Sequence, residues 1–200
     1  MIKGLIFDMD GVLFESLEAW FKLFNKTLNN FGFKKITKKE FLRNCWSVDS
    51  SIIVPMYFPG RSIESVTGYY QKHFLDYARY VKLIPDVKET LKRLKKRNIK
   101  LAIATNTYKK QTVKILKKLG LYNHFDVVVG ADEVKRGKPA PDMILKALKK
   151  LKLKKNEVYF IGDTPIDVKT CKNAKCKVIG FKIKGDKKIN SLKELLKLAK

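Results

Sequence analysis

Leu5-Ile6-Phe7-Asp8-Met9-Asp10-Gly11-Val12 is the stretch whose reading decides the fold. Three apolar residues run without a break and stop at two carboxylates and a glycine. A short continuous apolar run bounded by turn residues marks a strand buried on both faces, as in a parallel sheet. The punctuation recurs downstream. Leu101-Ala102-Ile103-Ala104 stops at Thr105-Asn106, Val127-Val128-Val129 at Gly130, and Val158-Tyr159-Phe160-Ile161 at Gly162-Asp163; Val178-Ile179-Gly180-Phe181 comes last. Between these runs lie Lys-rich segments of helical period: Val87, Leu91 and Leu94; Val113, Leu116 and Leu119; Ile144, Leu145, Leu148 and Leu151; and Leu192, Leu195, Leu196 and Ala199. Gly120 stands where a helix C-cap is expected, and Pro141 and Pro165 where a first helical residue is. Alternating strands and helices predict an α/β fold with a doubly wound, Rossmann-like parallel sheet.

Residues 15–84 break the rhythm. They carry periodic aromatic clusters (Trp20, Phe21, Phe24, then Tyr69, Tyr70, Phe74, Tyr77) and no buried-strand run, which predicts a small, mostly α-helical insertion after the first strand. The expected organisation is a core of residues 1–14 and 85–200 with an inserted helical unit of residues 15–84. Fourteen of the 22 aromatic residues fall in the insertion, but only +5 of the net charge does.

The chain has 200 residues with 44 Lys+Arg against 19 Asp+Glu, a formal +25, and only six of the cations are Arg. Such a balance points to polyanionic partners: nucleic acid, an acidic membrane surface or phosphorylated substrates. Nucleic-acid readers interleave basic and aromatic residues on one face. Here aromatics gather in the insertion and excess charge in the core, which speaks against a nucleic-acid partner. No apolar run approaches the roughly 18–20 residues of a membrane span, and the first eight residues reach Asp8 too soon for a signal peptide. The three cysteines, Cys45, Cys171 and Cys176, form no Cys-x-x-Cys pair, so incidental thiols are expected in place of a disulfide or zinc framework. The expected setting is cytoplasmic.

Open parallel sheets bind ligands beyond the carboxyl ends of their strands, where this sequence concentrates its polar residues. Asp8 and Asp10 follow the first run, Thr105 and Asn106 the second, Asp163 and Asp167 the fourth. Lys138, in Gly137-Lys138-Pro139-Ala140-Pro141-Asp142, lies in a loop before a helix. Carboxylates on adjacent loop tips repel unless a cation joins them, and hard oxygen ligands suit Mg²⁺. Each element has a plainer reading beside this one. Asp-x-Asp is also a turn signal, Thr105-Asn106-Thr107 also caps a following helix, and Thr164-Pro165-Ile166-Asp167 is also a well-formed helix start. The order of the elements, each at a strand's carboxyl end, favours one shared site.

These residues resemble the haloacid dehalogenase superfamily of aspartyl-nucleophile phosphohydrolases: Asp8-Met-Asp10-Gly11-Val12, Thr105-Asn106, Lys138 in Gly-Lys-Pro-Ala-Pro-Asp, and Gly162-Asp163-Thr-Pro-Ile-Asp167. Val12 departs from the Thr of many relatives. The resemblance implies that Asp8 attacks phosphorus and that Asp10 works as general acid and base. It also implies that Thr105, the Asn106 backbone N–H and Lys138 hold the phosphoryl oxygens. Mg²⁺ would sit between Asp8, the Asp10 carbonyl and Asp163, with Asp167 in support. The implied activity is hydrolysis of a small phosphate monoester, in the manner of phosphoglycolate phosphatases. Sugar-phosphate mutases of the superfamily carry His where this chain has Trp20. A basic nucleic-acid binder or end phosphatase is the alternative from another class, and a phosphorylated receiver-like switch is disfavoured by Asp10. In relatives the insertion caps the crevice and supplies specificity. Arg43, Asn44, Trp46 and Ser47 are therefore substrate-facing candidates, with Arg43 suited to grip a second acidic group. A surface Arg beside a core Trp is the plainer reading of Arg43, and His73 and His124 are expected to be structural.

Overall fold

The apolar runs pair side by side because each is too short and too hydrophobic to face water on either side. The computed structural model describes residues 2–198. Among them β1 (Gly4–Phe7), β2 (Lys100–Ala104), β3 (Val127–Val129), β4 (Val158–Gly162), β5 (Lys177–Phe181) and β6 (Lys187–Ile189) form one parallel sheet in the order β3-β2-β1-β4-β5-β6. Phe7 lies opposite Ile103 on β2 and Ile161 on β4, so the central strands end level. Strand order reverses between β1 and β4, which opens a crevice at their carboxyl ends.

Helices α1 (Leu17–Asn30), α2 (Lys38–Asn44), α3 (Ser50–Tyr57) and α4 (Ile63–His73) fall in the insertion, and α5 (Val87–Lys96), α6 (Lys109–Lys118), α7 (Asp142–Leu151), α8 (Pro165–Ala174) and α9 (Leu195–Leu198) accompany the sheet. Side chains alternate across a strand. Accordingly Ile6, Ala102, Phe160 and Val178 pack with Met143, Ile144, Ala147 and Leu148 of α7 and with Cys171 and Ala174 of α8. The lysines of these helices stay in water.

The structure departs from the sequence expectation in local ways. The sixth strand, Lys187-Lys-Ile189, has no apolar run; it is a sheet edge whose two lysines are exposed, a common guard against edge pairing. Pro141 is the N-cap of α7 and the helix starts at Asp142, one residue later than expected, whereas Pro165 opens α8. Gly120, at φ +70°, follows the C-cap Leu119 of α6. The last helical segment splits into a 3-10 turn, Leu192–Glu194, and α9, and Ala199 lies outside the described residues.

Residues Glu15–Lys82 form a compact unit of their own, and residues up to Phe14 and from Leu83 onward form the other. Within the inserted unit α2, α3 and α4 each start on a side-chain cap, from Thr37, Asp49 and Ser62. Its core is aromatic. Phe24 packs against Phe41, Tyr57 and Phe58 at 5.3–5.5 Å between ring centres. Trp20 packs against Tyr70 and Phe74. Phe160 is 1% exposed at the centre of the sheet's larger core, and Phe160→Ala is expected to lower unfolding free energy by about 3–5 kcal/mol. Urea titration checks this; a loss below about 1 kcal/mol contradicts the packing described.

Candidate active site

The polar residues at the strands' carboxyl ends are anchored by buried apolar neighbours and by hydrogen bonds. The turn after β1 is anchored by Met9, Val12 and Leu13, all fully buried, and closed by hydrogen bonds from Gly11 N–H to Phe14 C=O and from Leu13 N–H to Met9 C=O. Val12 thus serves the core. Gly11 adopts φ +78°, and an ideal Cβ there would lie 2.0 Å from Asp163 Oδ2. Only glycine fits the left-handed turn and the close approach together.

One ammonium ties the loops. Lys138 Nζ lies 2.8 Å from Asp8 Oδ2 and 2.8 Å from Asp167 Oδ1, with all three side chains almost completely buried. Asp167 Oδ2 accepts from the Thr164 hydroxyl at 2.7 Å and from the backbone N–H groups of Thr164 and Asp163. Thr164 Oγ1 in turn accepts from Asp167 N–H at 3.3 Å. Capping and charge placement are therefore both tasks of Asp167, and both of its oxygens are engaged.

Lys138 is held from two sides. The Asn106 side chain accepts from Lys138 N–H at 2.8 Å and donates to Lys138 C=O at 3.3 Å, while Asn173 Nδ2 donates to Pro139 C=O at 2.8 Å. Thr105 is buried, and its hydroxyl accepts from Thr107 N–H at 3.2 Å. The Thr105-Asn106-Thr107 segment does not cap α6: that helix has Tyr108 as N-cap, and Asp132 Oδ1 accepts from Lys109 N–H. Sequence reasoning read Thr164 as a helix cap, which it is, and missed its bond to the Asp167 carboxylate, the side-chain grip of Asn106 and the reach of Thr107. Thr164 bonds Asp167, and Thr107 Oγ1 lies 3.5 Å from Asp10 Oδ2. For Thr164 the signal was a hydroxyl three residues from a site acid; Thr107 stands 97 residues from Asp10, and nothing local marks it.

Charge is unbalanced here. Asp8 and Asp167 share the single ammonium of Lys138, and Asp163 adds a third carboxylate to the cluster. Asp8, Asp163 and Asp167 each offer an oxygen within 4.8 Å of the others. Asp8 Oδ1 and Asp163 Oδ1 are buried with no hydrogen-bond partner, a costly state for a carboxylate. Burial drives the Asp8 carboxyl well above the usual range; Lys138 opposes this, and Asp167 and Asp163 add to it. Burial and then Asp167 push Asp163 up to about 7. Lys138 keeps its proton, because Asp167 and Asp8 outweigh its burial. Two orphaned, hard oxygens in a cluster short of positive charge fit a divalent cation such as Mg²⁺.

Of the remaining candidates, Arg43 stands exposed on the last turn of α2 in the inserted unit. Asn44 donates to the Tyr57 hydroxyl at 2.8 Å, which bonds Glu40. Trp46 packs on Phe41, and Ser47 sits at φ +62°. His73 pairs with Asp76 at 2.9 Å, and His124 lies in a short turn.

Acidic loops gathered where strand order reverses define an enzyme of the doubly wound α/β class. The haloacid dehalogenase-like hydrolase pattern matches residues 5–181. The pyrophosphatase PpaX of Halalkalibacterium halodurans is 33% identical over 190 residues, covering 92% of this chain and 86% of that protein. The phosphoglycolate phosphatase of Aquifex aeolicus is 28% identical over 191 residues, covering 95% and 89%. A crystal structure of a putative phosphoglycolate phosphatase from Lactobacillus plantarum superposes with a TM-score of 0.87 at 19% identity, over 99% of this chain and all of that one; at that identity it shows the fold alone. The chain belongs to the haloacid dehalogenase-like hydrolase family, and it is an enzyme of the phosphoric monoester hydrolase kind. Among the described residues no helix is long and apolar enough to cross a membrane.

A pH dependence follows from the two raised carboxyls. Each binds a proton in the folded state at a pH where the unfolded chain, with carboxyls near 4, is ionised. Stability from Asp163 is therefore complete below about pH 4 and lost as pH rises through about 7. In EDTA the urea midpoint is expected to fall between pH 5 and pH 8, and Mg²⁺ at pH 8 is expected to restore it. His124, pushed down by burial with Lys88 and Lys95 adding, titrates in the opposite sense over this window. The Asp163 share is accordingly read as the difference from Asp163→Asn. If wild type and variant show the same pH profile, the burial argument fails.

Proposed function

We propose that the protein is a Mg²⁺-dependent phosphatase that hydrolyses a small phosphate monoester through an aspartyl-phosphate on Asp8. The observation that carries this reading is the buried Asp8–Lys138–Asp167 array with two orphaned carboxylate oxygens beside it. An isolated buried acid with a raised pKa is a poor nucleophile. Lys138 favours its ionised form, and a bound cation would shield its charge from an approaching phosphate.

Asp8, Asp163 and the Asp10 backbone carbonyl would hold the ion, which supplies charge neutralisation. Asp167, with both oxygens engaged, would position Lys138 and the Asp163 loop. In the first half-reaction Asp8 forms a bond to phosphorus while the bond to the leaving oxygen breaks, and Asp10 delivers a proton to that oxygen. In the second, Asp10 removes a proton from water as the water attacks the aspartyl-phosphate, which frees phosphate and regenerates Asp8. Thr105, the Asn106 N–H and Lys138 would hold the phosphoryl oxygens throughout. The Asn106 side chain orients Lys138 for that task.

The substrate class is a small phosphorylated metabolite, in keeping with relatives named for phosphoglycolate and pyrophosphate. The inserted unit would select it, with Arg43 a candidate for a second anionic group. A phosphomutase reading finds no support at Trp20, whose ring packs on Tyr70 and Phe74. The free thiols of Cys45, Cys171 and Cys176 fit the reducing cytoplasm.

Hydrolysis of p-nitrophenyl phosphate is expected with Mg²⁺ and not with EDTA. Asp8→Asn is expected to abolish turnover, and Asp10→Asn to lower kcat by about 10²–10⁴-fold. Full activity in Asp8→Asn would sink the mechanism. A panel of phosphoglycolate, pyrophosphate and sugar phosphates then assigns the substrate. Arg43→Ala is expected to raise KM for the best of them and to leave p-nitrophenyl phosphate unaffected.

A further inference from the structure

The inserted unit, considered by itself, holds an open, solvent-facing hollow of about 430 Å³ between α1 and the 3-10 helix Phe74–Tyr80. Lys22, Lys26, Lys35 and Arg79 line it together with Tyr77 and Tyr80, and the lining contains no carboxylate. Four of the unit's eleven cations thus converge on one hollow. Lys22 is paired with Glu18 at 3.2 Å, an acid shared with Lys38. Lys26, Lys35 and Arg79 have no acidic partner among the described residues. Lys22 and Lys26 stand one helical turn apart on the same face of α1, where like charges repel.

The rings add a second requirement. Tyr77 and Tyr80 lie 6.5 Å apart between centres with only 29° between their planes. Lys22 Nζ and Arg79 Cζ each lie 5.0 Å from the Tyr80 ring centre. Cations and aromatic faces therefore interleave at this one place. Faces of this kind stack planar bases while neighbouring Lys and Arg hold phosphates. A volume of this size suits one small ligand, whereas single-stranded nucleic acid needs a groove tracking about 4–16 nucleotides.

We propose that this hollow is a binding site for a nucleoside di- or triphosphate, with the base against Tyr77 and the phosphates on Lys26, Lys35 and Arg79. The site is formed wholly by the inserted unit, so its occupancy does not depend on Asp8 or on Mg²⁺.

Calorimetric titration of the full chain in EDTA tests this, with a methylene-bridged, non-hydrolysable ATP analogue, inorganic tripolyphosphate, adenosine and a single-stranded oligonucleotide as probes. The analogue is expected to bind wild type and Asp8→Asn alike, more tightly than tripolyphosphate, while adenosine alone does not bind. Lys26→Gln and Arg79→Gln, both exposed changes, are each expected to weaken the analogue by about tenfold, the size of one charge-assisted hydrogen bond. Tyr77→Ala is expected to weaken the analogue and leave tripolyphosphate unchanged. No binding, equal binding of tripolyphosphate, loss of binding in Asp8→Asn, wild-type affinity in the Gln variants, or tighter binding of the oligonucleotide would each overturn the proposal. Because the assay is run without Mg²⁺ and reads no turnover, its failure leaves the phosphatase reading standing, and the converse also holds.

Discussion

The arrangement depends on one buried ammonium. Lys138 stands between Asp8 and Asp167 at 2.8 Å from each and so joins three chain segments that are far apart in sequence: the end of β1, the loop before α7 and the start of α8. Removing one partner from such a pair strands a charge in a medium that cannot solvate it, which typically costs about 3–5 kcal/mol. The fold therefore cannot keep Asp8 and Asp167 where they are unless Lys138 stays too. The supporting contacts serve that end. Asn106 grips the Lys138 backbone, Asn173 grips Pro139, and the Thr164–Asp167 capping box fixes the second carboxylate.

Lysine answers only part of the charge. One oxygen of Asp163 and one of Asp8 are left without a donor, and burial raises the affinity of both carboxyls for protons. A proton and a divalent cation compete for the same electron pairs, so the raised carboxyls and the proposed ion would exclude one another. The glycine at position 11 belongs to the same economy of space. Its missing Cβ lets the turn after β1 come against Asp163, which brings the two orphaned oxygens into one cluster.

Much of this is legible in the sequence because it rests on local rules. Buried parallel strands must be apolar throughout, so β1, β2, β3, β4 and β5 announce themselves, and polar residues must collect where those runs stop. Legibility fails where the rule is not local. The edge strand Lys187–Ile189 lacks the apolar run because one side of it needs no burial. The Asn106 grip on Lys138 spans 32 residues, and nothing in either segment alone specifies it. Thr164-Pro-Ile-Asp167 reads equally as a cap and as chemistry in the sequence, and the ambiguity is physical: the same carboxylate does the capping and holds the lysine.

The net charge of +25 shows the same limit from the other side. Summed over the chain, aromatics and excess cations separate, the first into the insertion and the second onto the lysine-coated helices of the sheet unit. That separation is the ground on which the sequence argues against a nucleic-acid surface. An average over 70 residues cannot resolve where side chains meet in space. Folding brings Lys22, Lys26, Lys35 and Arg79 together with two tyrosine rings in a unit whose overall charge is only +5. Electrostatic recognition depends on the local potential within about a Debye length, roughly 8–10 Å in physiological salt, so a modestly charged unit with its cations gathered in one hollow holds an anion better than a highly charged one with its lysines spread evenly over helices.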